Sequence, residues 1–149
     1  MSVHGRQDEG GNFIHKTRIM LPATAGIINL TIPADSPGLQ ANQSYKWTFS
    51  LVCPQDRPSE PYVTGHIQRI ERPDLAAKVK QTASKNVPSI YAAAGIWHEA
   101  LATLAQLRRE NPNDEFLLLE WTNYLTAANL AYLSTETLLP SNLITPLQP

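Results

Sequence analysis

The sequence predicts an α+β fold: an antiparallel β-sheet, partial-sandwich-like, followed by a C-terminal helical hairpin or bundle. Three observations carry this. Apolar residues alternate with polar ones every second position in the first half. In the second half they recur every three or four positions, between Pro and Asn stops. All the strand-like runs precede all the helix-like ones, which separates α+β from a βαβ layout.

The first strand-like run covers residues 13–21, mixes β-branched and aromatic residues, and stops at Pro22. In residues 26–33, Ile28, Leu30 and Ile32 fall on one side and Asn29 and Thr31 on the other, so a half-buried strand is expected there. A loop rich in Pro, Asp, Ser, Gly and Asn follows over 34–44. The clearest strand is 45–53, where Tyr45, Trp47, Phe49, Leu51 and Cys53 alternate with Lys46, Thr48, Ser50 and Val52. Across the loop 54–61 lies a fourth run, 62–71, with Val63, Gly65 and Ile67 on one face. These last two strands are expected to pair as a long-looped antiparallel hairpin. Residues 8–12 (DEGGN) have hairpin-turn composition, but the seven residues before them are mostly polar. The expectation is that the chain as written starts partway into a domain whose first strands are absent. The β region is thus assigned to 1–72, N-terminally incomplete.

The helical region is assigned to 73–139. Pro73 opens a short amphipathic stretch to Thr82, since Pro suits a first helical turn. A second helix opens at Val87-Pro88 and runs to Ala94; Gly95 makes the turn, and a third spans 96–110. Ile90, Ala94, Trp97, Leu101 and Leu104 form one apolar stripe across both. Residues 111–114 stop that helix and cap the next, in which Leu118, Trp121, Leu125 and Leu130 are the expected core positions. After Leu139 come Pro140, Pro146 and Pro149, so 140–149 is read as an irregular Pro-rich tail.

Composition bounds the function. With 42% hydrophobic and 17% charged residues, the 149-residue chain is of globular type. Its formal net charge of -1 gives no electrostatic case for nucleic acid, which needs a basic patch against several phosphates. The basic groups Lys78, Lys80, Lys85, Arg108 and Arg109 fall on helix faces or ends, where solvated charge is the plain reading. A single cysteine excludes an intramolecular disulfide and a multi-cysteine zinc site. The polar start does not read as a signal peptide, and no apolar run reaches the roughly 20 residues of a membrane span. The chain as written is therefore expected to be soluble, without a transmembrane segment, and to stay in the cytoplasm.

The sole nucleophile candidate is Cys53, with His66 on the next strand and Asp56 in the loop between. A thiol needs a base within reach and a third group to orient that base. Strand alternation opposes it: Cys53 shares a face with Trp47 and Phe49, whereas His66 shares one with Thr64 and Gln68. A buried, inert Cys53 is expected. His4, His15, His66 and His98 show no metal-ligand spacing, and neighbouring His98 and Glu99 point apart on a helix. Gly10-Gly11 lacks the flanking strand and helix of a phosphate loop. No catalytic, cofactor-binding or metal residue is assigned. Trp47, Trp97 and Trp121 fall on apolar faces and read as core; two of them exposed would favour a ligand site.

Residues 91–101 (YAAAGIWHEAL), with Leu104, Leu107 and the Asn111-Pro112-Asn113 stop, resemble a tetratricopeptide repeat. Gly95 permits the tight inter-helix turn, Ala100 lets the helices approach, and Pro88 keeps the first helix short. One repeat cannot form a solenoid, so these helices are expected to pack on something else, most simply the sheet. Taken whole, the chain resembles a cyanobacterial domain-of-unknown-function family (DUF 928 type). The resemblance rests on four blocks in order: 21–30 (LPATAGIINL), 45–57 (YKWTFSLVCPQDR), 65–71 (GHIQRIE) and 91–97 (YAAAGIW). It covers roughly residues 8–130. It implies relatives that extend further upstream, often with an export signal to the envelope, and implies no activity.

Three functions follow as expectations. The leading one is a non-catalytic interaction module that binds a protein partner or itself. The second is an envelope-associated protein that binds glycan or lipid. The third is a thiol-dependent hydrolase using Cys53.

Overall fold

The computed structural model describes residues 2–7, 15–31, 34, 36–51, 61–140 and 146–147, with the side chains of 2–7 and 146–147 left aside. Two compact units divide the chain: Met1–Thr24, Leu30–Glu71 and Ser141–Pro149 in one, Ala25–Asn29 and Arg72–Pro140 in the other.

Among the described residues the first unit holds one five-stranded sheet: β1 (Ser2–Gln7), β2 (Thr17–Ile19), β3 (Ser44–Ser50), β4 (Tyr62–Gln68) and β5 (Pro146–Leu147). The spatial order is β4-β3-β1-β2-β5, antiparallel throughout. The β3–β4 hairpin forms as the alternation predicts. Its register runs unbroken from Ser44↔Gln68 to Ser50↔Tyr62 and sets Tyr45, Trp47 and Phe49 opposite Ile67, Gly65 and Val63. The ladder also carries Ile19 to the Phe49 face, because Val3 pairs with both Phe49 and Thr17. Tyr45 and Ile19 are the buried residues of that face, 2% and 3% exposed. The Tyr45 hydroxyl accepts from the Gln40 N–H at 2.9 Å and donates to Gln43 Oε1 at 3.2 Å, so the buried phenol is satisfied.

Several expectations for this half are corrected. A strand does precede residues 8–12, which lie outside the described residues: β1 sits mid-sheet, paired with both β2 and β3. Its backbone supplies the hydrogen bonds whatever its side chains, so a polar sequence hides it. The 13–21 run shortens to three strand residues, 17–19, among those described. Of the 26–33 run, the described residues 26–31 do not enter the sheet; Ile27 makes an isolated parallel bridge to Leu138 inside the helical unit. Gly26 permits that approach, since a Cβ there would lie 2.5 Å from the Thr137 carbonyl and 2.8 Å from Leu139 Cγ. The tail is not wholly irregular: Ile19 pairs with Pro146 and Arg18 with Leu147. Pro is tolerated there because β5 is an edge.

The second unit contains α1 (Pro73–Lys80), α2 (Val87–Ala93), α3 (Trp97–Glu110) and α4 (Glu115–Ala127), with single 3-10 turns at Ser84–Asn86 and Ala131–Leu133. No strand interrupts 88–128, and the α+β class stands. Pro lies in the first turn of α1 and of α2, where its missing N–H costs no helical bond. Helix α4 starts at Asp114, whose Oδ1 accepts from the Leu117 N–H at 3.1 Å.

Two helices end alike. After α2, Gly95 takes φ +74°, the Ile96 N–H reaches the Tyr91 carbonyl and the Gly95 N–H reaches that of Ala92. After α4, Asn129 takes φ +59°, with Leu130 N–H to Leu125 O and Asn129 N–H to Thr126 O. Both are Schellman stops, in which a left-handed residue lets the chain satisfy the last carbonyls.

The core of this unit is Leu104, Ala105, Leu117, Trp121 and Leu125, ringed by Ile27, Leu101, Leu107, Tyr124, Leu130, Leu133 and Leu138. Trp121 is fully buried, as its sequence position predicts. The α4 phase is corrected by one residue: Leu117 is buried and Leu118 is 47% exposed. Leu117, Leu118 and Leu119 are consecutive, so sequence periodicity cannot choose among them. Packing against α3 does.

Candidate functional site

Helices α3 and α4 bury several side-chain donors. The Arg108 guanidinium carbon stands 5.2 Å from the Trp121 ring centroid, a cation–π geometry. Arg109 Nε donates to the Leu139 carbonyl at 3.2 Å, while Trp97 and Tyr124 meet with ring centroids 6.2 Å apart. Arg108 Nη1, Arg109 Nη2, Trp121 Nε1 and the Tyr124 hydroxyl are buried without a protein hydrogen-bond partner among the described residues. Burial lowers the pKa of the Arg108 guanidinium and raises that of the Tyr124 phenol, where the nearby Glu120 carboxylate adds to the rise. These groups are hydrogen-bond donors left without a described acceptor, with the Glu120 carboxylate near the Tyr124 phenol.

Beside α3 lies an open groove of about 490 Å³, lined by Asn29, Ser84, Val87, Ala102, Thr103, Gln106 and Leu107. Its lining is uncharged, with two amides, two hydroxyls and short apolar side chains. Such a surface offers hydrogen bonds along a chain-like ligand and no electrostatic anchor.

The outer face of α4 is apolar as well. Phe116 is 53% exposed and Leu119 is 59% exposed. At 100° per residue they lie about 60° apart, away from the buried stripe of Leu117, Trp121 and Leu125. Leu118 flanks them. The signal was present in the sequence: four apolar residues in a row, Phe116 to Leu119, circle a helix, so some must face outward.

On the sheet, the apolar face opens toward one end. Trp47 is 36% exposed and Val63 58%, which corrects the expectation of Trp47 as core. Gly65 lies under the indole; a Cβ there would come 2.5 Å from Trp47 Cζ2. Trp97 is half-buried, so the described residues do not present two exposed tryptophans.

Of the thiol constellation, Cys53 and Asp56 lie outside the described residues. His66 is exposed and stands opposite Lys46, on the polar side of the hairpin. His15 meets Ser36 Oγ at 2.7 Å through Nδ1, and His98 is exposed on α3. Among the described residues no group of three His, Cys, Asp or Glu side chains could hold a metal ion. No described helix is long and apolar enough to cross a membrane.

No curated protein and no solved structure is significantly similar to this chain. A family model matches it over residues 2–138, which takes in both units, and the chain belongs to that family, Domain of Unknown Function (DUF928).

Proposed function

We propose that the protein is a non-catalytic interaction module whose repeat-like helical hairpin and following helix α4 receive a protein partner. The observation that carries this reading is the exposed pair Phe116 and Leu119 on α4, a helix whose opposite face is already fully occupied by its own core. Large apolar side chains that no internal packing uses are the usual anchors of a helix-face interface. The hairpin of α2 and α3, closed by Gly95 and by the fully buried Ala100, supplies a rigid support for that face in the manner of a tetratricopeptide repeat.

The test is a double variant, Phe116→Asp with Leu119→Asp, compared with the unaltered chain by quantitative crosslinking in the source cells. The melting temperature should hold, because both side chains are solvent-facing, while crosslinks from α4 to a protein partner should disappear. Unchanged crosslinks at an unchanged melting temperature would refute the reading.

A further inference from the structure

We propose that β4 is a docking edge for a second copy of this chain, so that two sheets join antiparallel, β4 to β4, about a two-fold axis at Gly65. This surface is separate from the α4 face and does not depend on it.

The argument begins with the backbone. The Leu51 N–H donates to the Pro61 carbonyl at 2.9 Å, which fixes 51 and 61 as a hydrogen-bonded pair. Antiparallel ladders alternate bonded and non-bonded pairs, so 63, 65 and 67 turn their N–H and C=O groups toward β3. Tyr62, Thr64, His66 and Gln68 therefore turn theirs away from it. The sheet order ends at β4, and no described residue pairs with that side. These four residues are exposed in the folded chain.

The two edges of the sheet differ in how they are guarded. Strand β5 is two residues long and begins with Pro146, which has no N–H to offer. Short edges and edge prolines keep sheets from joining. Strand β4 has seven residues, reads YVTGHIQ, and contains neither proline nor lysine. Its register with β3 carries no bulge, so the edge is straight and regular. None of the common devices against strand addition is present within it.

A second copy fits this edge better than a charged peptide would. Strand β4 has no Asp, Glu, Lys or Arg, so it meets itself without like-charge repulsion and gives a charged strand nothing to pair with. With the axis at Gly65, the outward residues pair among themselves: Tyr62 with Gln68 and Thr64 with His66, each twice. Four bonded pairs make about eight backbone hydrogen bonds. On the other face Val63 meets Ile67 of the second copy, which covers a side chain now 58% exposed. The two Gly65 residues face each other beneath the two Trp47 rings, where any larger residue would already collide with the indole. Within β3 and β4 the cation is Lys46, one strand back, so two copies lie three strand spacings apart, about 14 Å, beyond the screening length of about 10 Å at 0.1 M salt.

Sedimentation velocity over a concentration series, from low micromolar to near millimolar, tests the proposal on the full chain. The unaltered protein should pass from monomer to dimer and no further, since pairing consumes the edge. Thr64→Pro removes an outward N–H and spares the β3 ladder; it should raise the dimer dissociation constant at least tenfold. Thr64→Lys keeps the N–H and adds charge at the axis, and should do the same; it decides the matter if the proline variant shows a disturbed circular dichroism spectrum. The Phe116→Asp, Leu119→Asp variant should dimerise like the parent. A monomer at every concentration overturns the proposal. So does a dimer that Thr64→Lys leaves intact, or one that only the α4 variant dissolves.

Discussion

Gly95 offers a clean measure of what a left-handed backbone position costs. Its φ of +74° closes the Schellman stop between α2 and α3, and a Cβ built there meets nothing within 4 Å. Any penalty for a side chain must therefore come from the backbone and not from crowding. A left-handed conformation costs a Cβ-bearing residue about 1–2 kcal/mol. Reduced freedom of the unfolded chain returns roughly 0.4–1 kcal/mol of that on replacing Gly by Ala. Gly95→Ala should thus lose about 1 kcal/mol. Gly95→Asn should lose less, because Asn tolerates this region and Asn129 already occupies it at φ +59° after α4. Gly95→Val should lose the most, roughly 1–3 kcal/mol, since a β-branched residue is poorest at a special backbone position. For a chain of this size each ~1 kcal/mol moves the midpoint by about 2–4 °C. Tryptophan emission is the appropriate probe, because Trp97 and Trp121 both belong to the helical unit. Equal melting midpoints for Gly, Ala and Val would refute the reasoning, and so would an order in which Asn is worst.

Other outcomes follow from the same geometry. Gly26→Ala should destabilise the helical unit by about 1–3 kcal/mol in urea unfolding, because the new Cβ meets the Thr137 carbonyl and the buried Leu139, neither free to move aside. Asp114→Ala removes the acceptor for the Leu117 N–H and should cost about 1 kcal/mol, read as a lower midpoint in the far-ultraviolet melt. Asp74 is held at a pKa of about 2, chiefly by its hydrogen bonds from the Arg72 guanidinium, Nε at 3.0 Å and Nη2 at 2.8 Å. Because the folded value lies below the ordinary one near 4, its contribution is present above about pH 4 and fades as pH falls toward about 2. The Asp74 carboxyl titration followed by NMR should show the depression, and Arg72→Gln should remove the larger part of it, leaving what the Leu75 and Asp74 backbone N–H groups contribute.

The sequence alone determined those features in which a local pattern has one physical solution. Strict alternation from Tyr45 to Ser50 leaves a strand no other face to bury, so the hairpin and its side-chain faces could be read directly. Pro73, Pro88, Gly95 and Asp114 act on their own backbones, and the helices start and stop where those residues stand. Tertiary structure decided the rest, for reasons equally physical. Strand β1 is made by backbone pairing on both sides, to which its polar side chains contribute no readable pattern. The pattern beginning Ile28, Leu30 alternates as a strand should, yet the close approach of Gly26 to Thr137 places residues 25–29 with the helices. Leu117, Leu118 and Leu119 are chemically equal, and only the partner helix selects which one is buried. For the same reason the exposed side chains Phe116, Leu119 and Val63 could be named only after folding: the amino-acid order fixes what is apolar, and packing determines which apolar groups remain to meet another molecule.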